Sequence, residues 1–227
     1  MPRTPSHSAA PDDDPTAHPA LSDSLRALAR RGTVKSYRKH TVLIEEGDRG
    51  DSLYIILAGR LRAYARNDKG REITYGSYGP GDYLGEMSLD GGPRSASVIT
   101  EEASICSLVT RQTLERHLQD DPAFAFDLLT KVIRIARAST LSTRQMALSD
   151  VYGRLRLLLD DLAADGAPTQ PGGSRTIAPK PTHEAISQRL GCTREMVSRL
   201  LKDLERGGYV QVESRRLVLL RELPARW

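Results

Sequence analysis

The chain has 227 residues, enough for two domains of ordinary size, and its 33 Lys and Arg exceed its 29 Asp and Glu by a net charge of +4. So small an excess excludes a general polycation, and a surface for nucleic acid must come from local placement of basic residues. The two cysteines, Cys106 and Cys192, lack metal-ligand spacing, which argues against a disulfide framework, a zinc site and an iron–sulfur cluster. With neither a signal peptide nor an apolar run of membrane-spanning length, the sequence predicts a cytoplasmic protein.

The N-terminal half begins with polar sequence and then turns to short β-rich runs. Residues 1–20 predict a disordered leader. Leu and Ala at helical spacing over residues 21–31 predict a short helix, with Ser22 among the candidate caps. Short β-rich runs then follow between glycine-bearing turns, at residues 42–44, 53–57, 61–64, 73–75, 96–99 and 104–108. Their even spacing predicts an antiparallel β-barrel or sandwich in a domain that covers residues 21–120.

A long helix is predicted over residues 121–148, because proline follows a capping residue in Asp121-Pro122 and nothing interrupts the run after it. Apolar residues form two adjacent stripes at heptad spacing along this helix, Leu128, Val132 and Ile135 in one and Leu129, Ile133 and Ala136 in the other. Such a helix can cover its own domain with one stripe and pair with a second chain through the other, so we predict a parallel homodimer. The alternative is a helix that packs on its own barrel alone.

The C-terminal part, residues 149–227, predicts a winged helix-turn-helix. A leucine-rich helix starts at Ser149-Asp150, and a loop rich in proline and glycine follows over residues 167–174. Gly191 permits a tight turn between two further helices. The elements predicted around this turn are helices over residues 182–190 and 193–207 and a hairpin or wing over residues 209–212 and 217–220.

The second helix of this motif carries a polar outer face. Thr193 can cap the helix and, with the exposed N–H groups of the first turn, approach a phosphate. Polar side chains at helical spacing follow, namely Arg194, Glu195, Ser198, Arg199 and Lys202. Arginine suits O6 and N7 of guanine, and glutamate can accept from the amino group of cytosine, so this face predicts base reading in the major groove of double-stranded DNA. The alternative is an ordinary solvated helix.

The helix-turn-helix resembles the DNA-binding domain of the catabolite activator (CRP/FNR) family in two runs, Asp-Val-Tyr-Gly-Arg-Leu at 150–155 and Gly-Cys-Thr-Arg-Glu-Met-Val-Ser-Arg at 191–199. The resemblance implies base contacts by Arg194, Glu195 and Arg199, and phosphate contacts by Thr182 and Thr193. His183 stands where the family carries an arginine that contacts the DNA backbone. A palindromic operator with half-sites similar to TGTGA is the expected target.

The N-terminal half resembles the cyclic-nucleotide-binding β-roll of the same family, at residues 46–59 and 79–88. A cyclic phosphate needs a cation and several N–H donors, which Arg94 and the loop near Glu86 can supply. A ribose hydroxyl needs an acceptor, and Glu86 can provide it. The nucleotide-binding residues that the resemblance implies are Gly85, Glu86, Met87, Ser88, Arg94 and Ser95.

The same resemblance gives a role to Ser139 and Thr140, which interrupt the apolar stripes of the long helix. They align with two hydroxyl residues through which the long helix of the family contacts adenine. Contacts from both subunits would couple occupancy of the pocket to helix pairing and to the spacing of the recognition helices. The leading hypothesis is a homodimeric transcription regulator whose affinity for DNA is switched by a cyclic nucleotide, with cyclic AMP favoured.

A second effector stays open at the level of sequence. The link from Glu86 to Arg94 is shorter than in the family, which leaves the identity of the ligand undecided. Positive charge on the first domain makes cyclic di-GMP the main competitor, through Arg60, Arg62, Arg66 and Arg71.

Other classes of function have less in their favour. A constitutive DNA-binding regulator with a vestigial pocket is one alternative, and a sensor of redox state or gas is another, although no cysteine precedes Cys106 and the histidines are isolated. An enzyme is not predicted, because no catalytic grouping or phosphate loop stands out, and neither a metal nor a cofactor is expected. RNA polymerase is an expected further partner, through the loop at 167–174.

Overall fold

The structure, a computed structural model, describes residues 14–148, 150–164 and 174–226. The chain divides into two compact units. The first unit consists of two segments, the described residues up to Tyr64 and Gly76–Val132. The second unit consists of Ala65–Tyr75 and the described residues from Ile133 onwards. Within the described ranges, the helices are too short or too polar to cross a membrane.

The N-terminal half is built on two four-stranded sheets. Their strands are β1 (Thr33–Tyr37), β2 (Val42–Ile44), β3 (Leu53–Ala58), β4 (Leu61–Arg66), β5 (Glu72–Tyr78), β6 (Tyr83–Leu84), β7 (Ser97–Thr100) and β8 (Ser104–Val109). The strand order is β1-β8-β3-β6 in one sheet and β2-β7-β4-β5 in the other. Strands that follow each other along the chain thus alternate between the sheets, except that β4 and β5 are neighbours in the second sheet. Strand β3 pairs antiparallel with both β6 and β8. The predicted antiparallel β-roll is confirmed.

Strand β3 is apolar throughout because it is covered on both faces. Leu53, Ile55 and Leu57 pack with residues of the first helix, whereas Ile56 belongs to a cluster that draws on both sheets. Cys106 of β8 lies in that second cluster, and burial raises the pKa of its thiol to about 12. The thiol therefore acts as a small apolar group.

Three helices accompany the sheets: α1 (Asp23–Arg30), α2 (Arg111–Asp120) and α3 (Ala123–Leu148). A hydroxyl caps each of the first two, because Ser22 accepts from N of Leu25 at 3.3 Å and Thr110 accepts from N of Thr113 at 3.2 Å. The sequence did not predict α2, a short helix whose buried residues are Leu114 and His117.

Helix α3 has the two faces that its stripes predict. Leu128, Val132 and Ile135 are partly buried, and Leu128 packs against the core of the first unit. Leu129 and Ile133, on the neighbouring stripe, are 53% and 47% exposed.

Residues 14–20 fall within the predicted leader, yet they pack on α1. Asp14 caps a short 3-10 helix, Pro15–Ala17, and Thr16 of that helix is buried. Arg30 of α1 donates from Nε to Oγ1 of Thr16 at 3.1 Å. The predicted leader is therefore too long, because Thr16 is buried and hydrogen-bonded to α1. Residues 1–13 lie outside the described residues.

The described residues from 150 onwards form three helices and a small sheet. They are α4 (Val151–Ala164), α5 (His183–Leu190), α6 (Arg194–Arg206), β9 (Arg175–Ile177), β10 (Val210–Val212) and β11 (Leu217–Leu219). The sheet has the order β10-β11-β9, so the predicted wing is present with an additional strand. Helices and sheet share one apolar core that includes Leu155, Ile186 and Leu204. The predicted α+β class, a β-roll followed by a long helix and a winged helix-turn-helix, is confirmed.

Candidate functional sites

A tight turn after β6 carries the residues predicted to bind nucleotide. Gly85 has φ of 101°, a left-handed conformation that favours glycine, and it leads into a short 3-10 helix over Glu86–Ser88. A Cβ on Gly85 would lie 2.4 Å from the carbonyl oxygen of Ser52, so the backbone approaches closely here. Within the turn, the hydroxyl of Ser88 donates to the carbonyl oxygen of Gly85 at 3.1 Å.

Arg94 is buried beside this turn. Its Nη1 donates to the carbonyl oxygen of Gly85 at 3.0 Å and to Oγ of Ser88 at 2.8 Å, and its Nη2 donates to the carbonyl oxygen of Ser52 at 3.1 Å. These acceptors carry no net charge, so the guanidinium is oriented by hydrogen bonds without being neutralised by them. An oriented, buried cation is what an anionic group of a ligand requires.

Glu86 lies in the same turn and is 7% exposed. Its Oε2 is buried and has no hydrogen-bond partner among the described residues. A buried carboxylate oxygen without a donor is costly unless a ligand or an ion supplies one. The turn thus holds a buried carboxylate, and Arg94 adds a buried guanidinium that donates to Gly85 and Ser88 of the same turn.

One residue of this site escaped the sequence analysis. Lys131 of α3 places Nζ 3.8 Å from Oε2 of Glu86 and donates to the carbonyl oxygen of Tyr83. Its partners are distant along the chain, so no local motif points to it. The available signal was a lysine at the edge of the first apolar stripe, a position that usually carries a solvated side chain.

The other predicted nucleotide contacts are more open. Met87 is 45% exposed and Ser95 is exposed. Ser139 and Thr140 belong to the second unit and are exposed, and Thr140 donates from its hydroxyl to the carbonyl oxygen of Ala136 at 3.0 Å. Contacts of these four residues with a nucleotide stay predictions.

The helix-turn-helix is held by caps at both of its helices. Thr182 accepts from N of Ala185 at 3.0 Å at the start of α5, and Thr193 accepts from N of Met196 at 3.3 Å at the start of α6. Gly191 ends α5 with φ of 64°, which permits the turn that the sequence predicts. The two hydroxyls predicted to contact phosphate are therefore fixed at helix N-termini, where free N–H groups favour anions.

The outer face of α6 presents most of the predicted base-reading side chains. Arg194, Glu195, Arg199 and Lys202 are exposed. Val197, Leu200 and Leu204 are buried on the opposite face, where they join the apolar core. This separation fixes which side of α6 can enter a groove.

Ser198 is partly buried and differs from its neighbours, because its Oγ lies 2.7 Å from Nδ1 of His183. Burial lowers the pKa of His183, and Lys180 and Arg194 lower it further. The histidine thus lies among cations at the start of α5, where the added charge of a protonated ring is unfavourable in the absence of an anion.

Two family models match the chain, the cyclic nucleotide-binding domain over residues 34–121 and the Crp-like helix-turn-helix domain over residues 153–225. The CRP-like cAMP-activated global transcriptional regulator of Mycobacterium tuberculosis is 33% identical over 209 residues, 91% of this chain and 89% of the relative. The cAMP-activated global transcriptional regulator Vfr of Pseudomonas aeruginosa is 30% identical over 203 residues, 87% of this chain and 92% of the relative.

The fold is shared with solved structures. That of the c-di-GMP responsive global regulator CLP of Xanthomonas campestris has a TM-score of 0.75 at 23% identity, over 87% of this chain and 98% of that chain. Architecture and matches together define the class of protein: a transcription regulator with a cyclic-nucleotide-binding domain and a DNA-binding helix-turn-helix. The chain belongs to the CRP/FNR family, as its sequence motifs predict.

Proposed function

We propose that the protein is a homodimeric regulator whose affinity for a palindromic, TGTGA-like operator is switched by cyclic AMP. The observation that carries this proposal is a buried Arg94 that donates to the same turn that carries the buried Glu86. The cation suits a cyclic phosphate, and the unpartnered Oε2 of Glu86 suits a ribose hydroxyl. The names of the two similar relatives, both cAMP-activated regulators, support cyclic AMP as the effector.

Two of the four arginines that would favour cyclic di-GMP are already paired with carboxylates. Arg66 forms an ion pair with Glu72, and Arg62 lies 3.8 Å from Glu101 and over the ring of Tyr64. Charges that are already paired attract a phosphate less strongly. The calorimetric titration therefore includes cyclic di-GMP as a competing ligand, and cyclic AMP remains the proposed effector.

The exposed stripe of α3 supports the homodimer. Phe126, Leu129, Ile133 and Leu141 are all about half exposed or more. Their spacing places them along one side of the helix, and large apolar residues in a row favour burial against another surface. In the proposed dimer, Ser139 and Thr140 of this helix contact the bound nucleotide and link its binding to helix pairing.

Arg194, Glu195 and Arg199 read base edges in this proposal, while Thr182 and Thr193 contact phosphates. Exposure of the three charged side chains on one side of α6 supports the assignment. RNA polymerase as a partner and a cytoplasmic location stay predictions, and residues 167–173 of the loop assigned to the polymerase lie outside the described residues.

Calorimetric titration of the full chain with cyclic AMP, cyclic GMP and cyclic di-GMP tests the effector. We expect cyclic AMP to bind most tightly, and Arg94→Ala to weaken it by about tenfold or more, the loss expected for a charge-assisted hydrogen bond. Arg116→Ala, which removes an exposed arginine of α2, is the matched control and should bind normally. Equal affinity of Arg94→Ala and the unmodified protein would reject this pocket.

Operator binding tests the switch. A labelled palindromic duplex is titrated by fluorescence anisotropy with and without saturating cyclic AMP, at fixed salt because phosphate contacts are salt-dependent. We expect saturating cyclic AMP to change the Kd of the protein for the operator duplex. An unchanged Kd with all three nucleotides would reject the switch and leave a constitutive DNA-binding regulator.

A further inference from the structure

The ammonium group of Lys131 lies in an enclosed, aromatic and acidic environment. Nζ lies 3.7 Å from the centroid of the Tyr83 ring and 6.0 Å from that of Tyr78, within the range of cation–π attraction. Burial lowers the pKa of this lysine, and the carboxylates of Glu86 and Asp82 partly offset that effect. The ammonium group can remain charged while buried because the aromatic rings and carboxylates compensate for its lost hydration.

The nearest of these carboxylates is the one that the proposed function assigns to the ligand. Nζ of Lys131 is 3.8 Å from Oε2 of Glu86, too far for a good hydrogen bond and close enough for a strong Coulomb attraction at low dielectric. Oε2 therefore has a counter-charge and no hydrogen bond within the described part of the chain. Its lone pairs remain available to an incoming O–H donor.

Both partners are held in place by the fold. The side chain of Glu86 is 4% exposed and that of Lys131 is 18% exposed, so neither can turn to solvent without disturbing the packing around it. The hydrogen bond from Nζ to the carbonyl oxygen of Tyr83 ties the lysine to β6, which ends directly before the Gly85 turn. Lys131 thus connects α3 with the turn that carries Glu86.

We propose that Lys131 is a positioning residue that holds the Glu86 carboxylate for the 2′-hydroxyl of the cyclic nucleotide and so determines selectivity for ribose. The inference rests on the proposed function, because it takes Glu86 as the ribose acceptor. Lys131 contributes no hydrogen bond to the sugar. It supplies the charge and the geometry that let Glu86 accept one.

The first experiment compares the affinity for cyclic AMP with that for 2′-deoxy cyclic AMP by calorimetry. The unmodified chain is expected to prefer the ribose form by about tenfold or more, as for a hydrogen bond to a charged acceptor. Lys131→Met keeps the apolar stem and should reduce this ratio to that of Glu86→Gln, whereas Lys131→Arg should retain most of it. Arg134→Met, at an exposed position on α3, should leave the ratio unchanged.

An unchanged ratio in Lys131→Met would overturn the proposal. A loss of the ratio in Arg134→Met as large as that in Lys131→Met would overturn it as well, because a general effect of charge on α3 would then be the cause. Circular dichroism and the unfolding midpoint of each variant show whether it is folded.

The second experiment needs no nucleotide and separates this inference from the proposed function. Unfolding midpoints are measured for Lys131→Met, Glu86→Gln and the double variant. If the two groups interact, each single change leaves a buried charge without its partner, and the double variant loses less than the sum of the single losses. Additive losses would overturn the inference even if cyclic AMP binds, and non-additive losses would support it even if another nucleotide is the effector.

Discussion

Gly50 lies directly against the guanidinium of Arg94. A Cβ built on Gly50 would come within 2.8 Å of Nη2 and 3.0 Å of Nε of this arginine. A side chain at this position would thus occupy space that the guanidinium needs. Gly50, a glycine in one of the turns between the predicted strands, is therefore a steric determinant of the proposed anion site.

The change Gly50→Ala tests this relationship. The methyl group should displace Arg94 and weaken the binding of cyclic AMP by about tenfold, the cost of one charge-assisted hydrogen bond. Gly79→Ala is the matched control, because a Cβ at Gly79 meets open space. Calorimetry measures the affinity of both variants for cyclic AMP. Normal binding by Gly50→Ala would show that nucleotide binding does not depend on the present position of the guanidinium.

Base reading by α6 can be tested at Arg194 and Arg199. Each change to alanine should cost about 1–3 kcal/mol of operator affinity and relax the preference at one base pair, since a bidentate contact to guanine is lost. Binding-site selection followed by anisotropy measures both effects. Arg206→Ala, at the far end of the same helix, should weaken binding to all sequences equally or not at all; an unaltered motif with both test variants would disprove base reading.

The affinity for DNA should depend on pH through His183. Its pKa lies below the ordinary value of 6.5, because of burial and because of Lys180 and Arg194. A phosphate at the start of α5 would raise this pKa, so DNA binding takes up a proton and the affinity rises as the pH falls towards and below 6.5. The expected limit is about tenfold per pH unit for one proton per site. His183→Gln should flatten the profile, and a profile with the same slope in this variant would assign the proton elsewhere.

The stability of the first unit should fall in mild acid because of His117. This ring is 1% exposed, Nδ1 has no hydrogen-bond partner among the described residues, and Nε2 lies 3.4 Å from Oγ of Ser24. Burial lowers its pKa below 6.5, with a further contribution from Arg31 that Asp121 and Asp120 oppose.

Since the unfolded chain then binds the proton more readily, this contribution to stability is complete above pH 6.5 and is lost as the pH falls to the folded-state pKa. Urea unfolding at pH 8 and pH 5.5 measures the loss, which His117→Gln should diminish. An identical loss in both proteins would exclude this histidine as its source.

Pairing through α3 is tested by charging its exposed stripe. Leu129→Glu with Ile133→Glu should give a monomer of about 25 kDa, because two buried glutamates in a helix seam cost far more than the pairing gains. Ala138→Glu, at an exposed position away from the stripe, should keep the dimer. Sedimentation or light scattering measures the oligomeric state of each variant. A dimer formed by the variant with Leu129→Glu and Ile133→Glu would place the interface elsewhere.

Much of the fold could be predicted because its elements carry their own signals. The strands in 42–108 alternate with glycine turns, and the helix-turn-helix has four apolar positions around Gly191. Strand β1 gave no such signal, because nearly all of its side chains are exposed. Helix α2 is polar for the same reason, and β9 has three residues and gains its stability from pairing with β11.

The candidate site was predictable only in part. Glu86 and Arg94 lie in one continuous run, so the resemblance to the family and the chemistry of the two side chains identified them. Ser52 contributes a backbone carbonyl, for which any residue type would serve, and Lys131 reaches Glu86 from another element. Contacts of these two kinds depend on tertiary structure and leave no local pattern.

The hydroxyl of Thr193 accepts a hydrogen bond from the backbone of α6, which leaves its own hydrogen available for the proposed contact with a phosphate oxygen. Aspartate caps a helix at least as well and adds a favourable interaction with the helix dipole. Yet its negative charge would repel DNA at the helix that is proposed to bind it. Folding and recognition thus select different side chains at this single position, and threonine is the compromise that satisfies both.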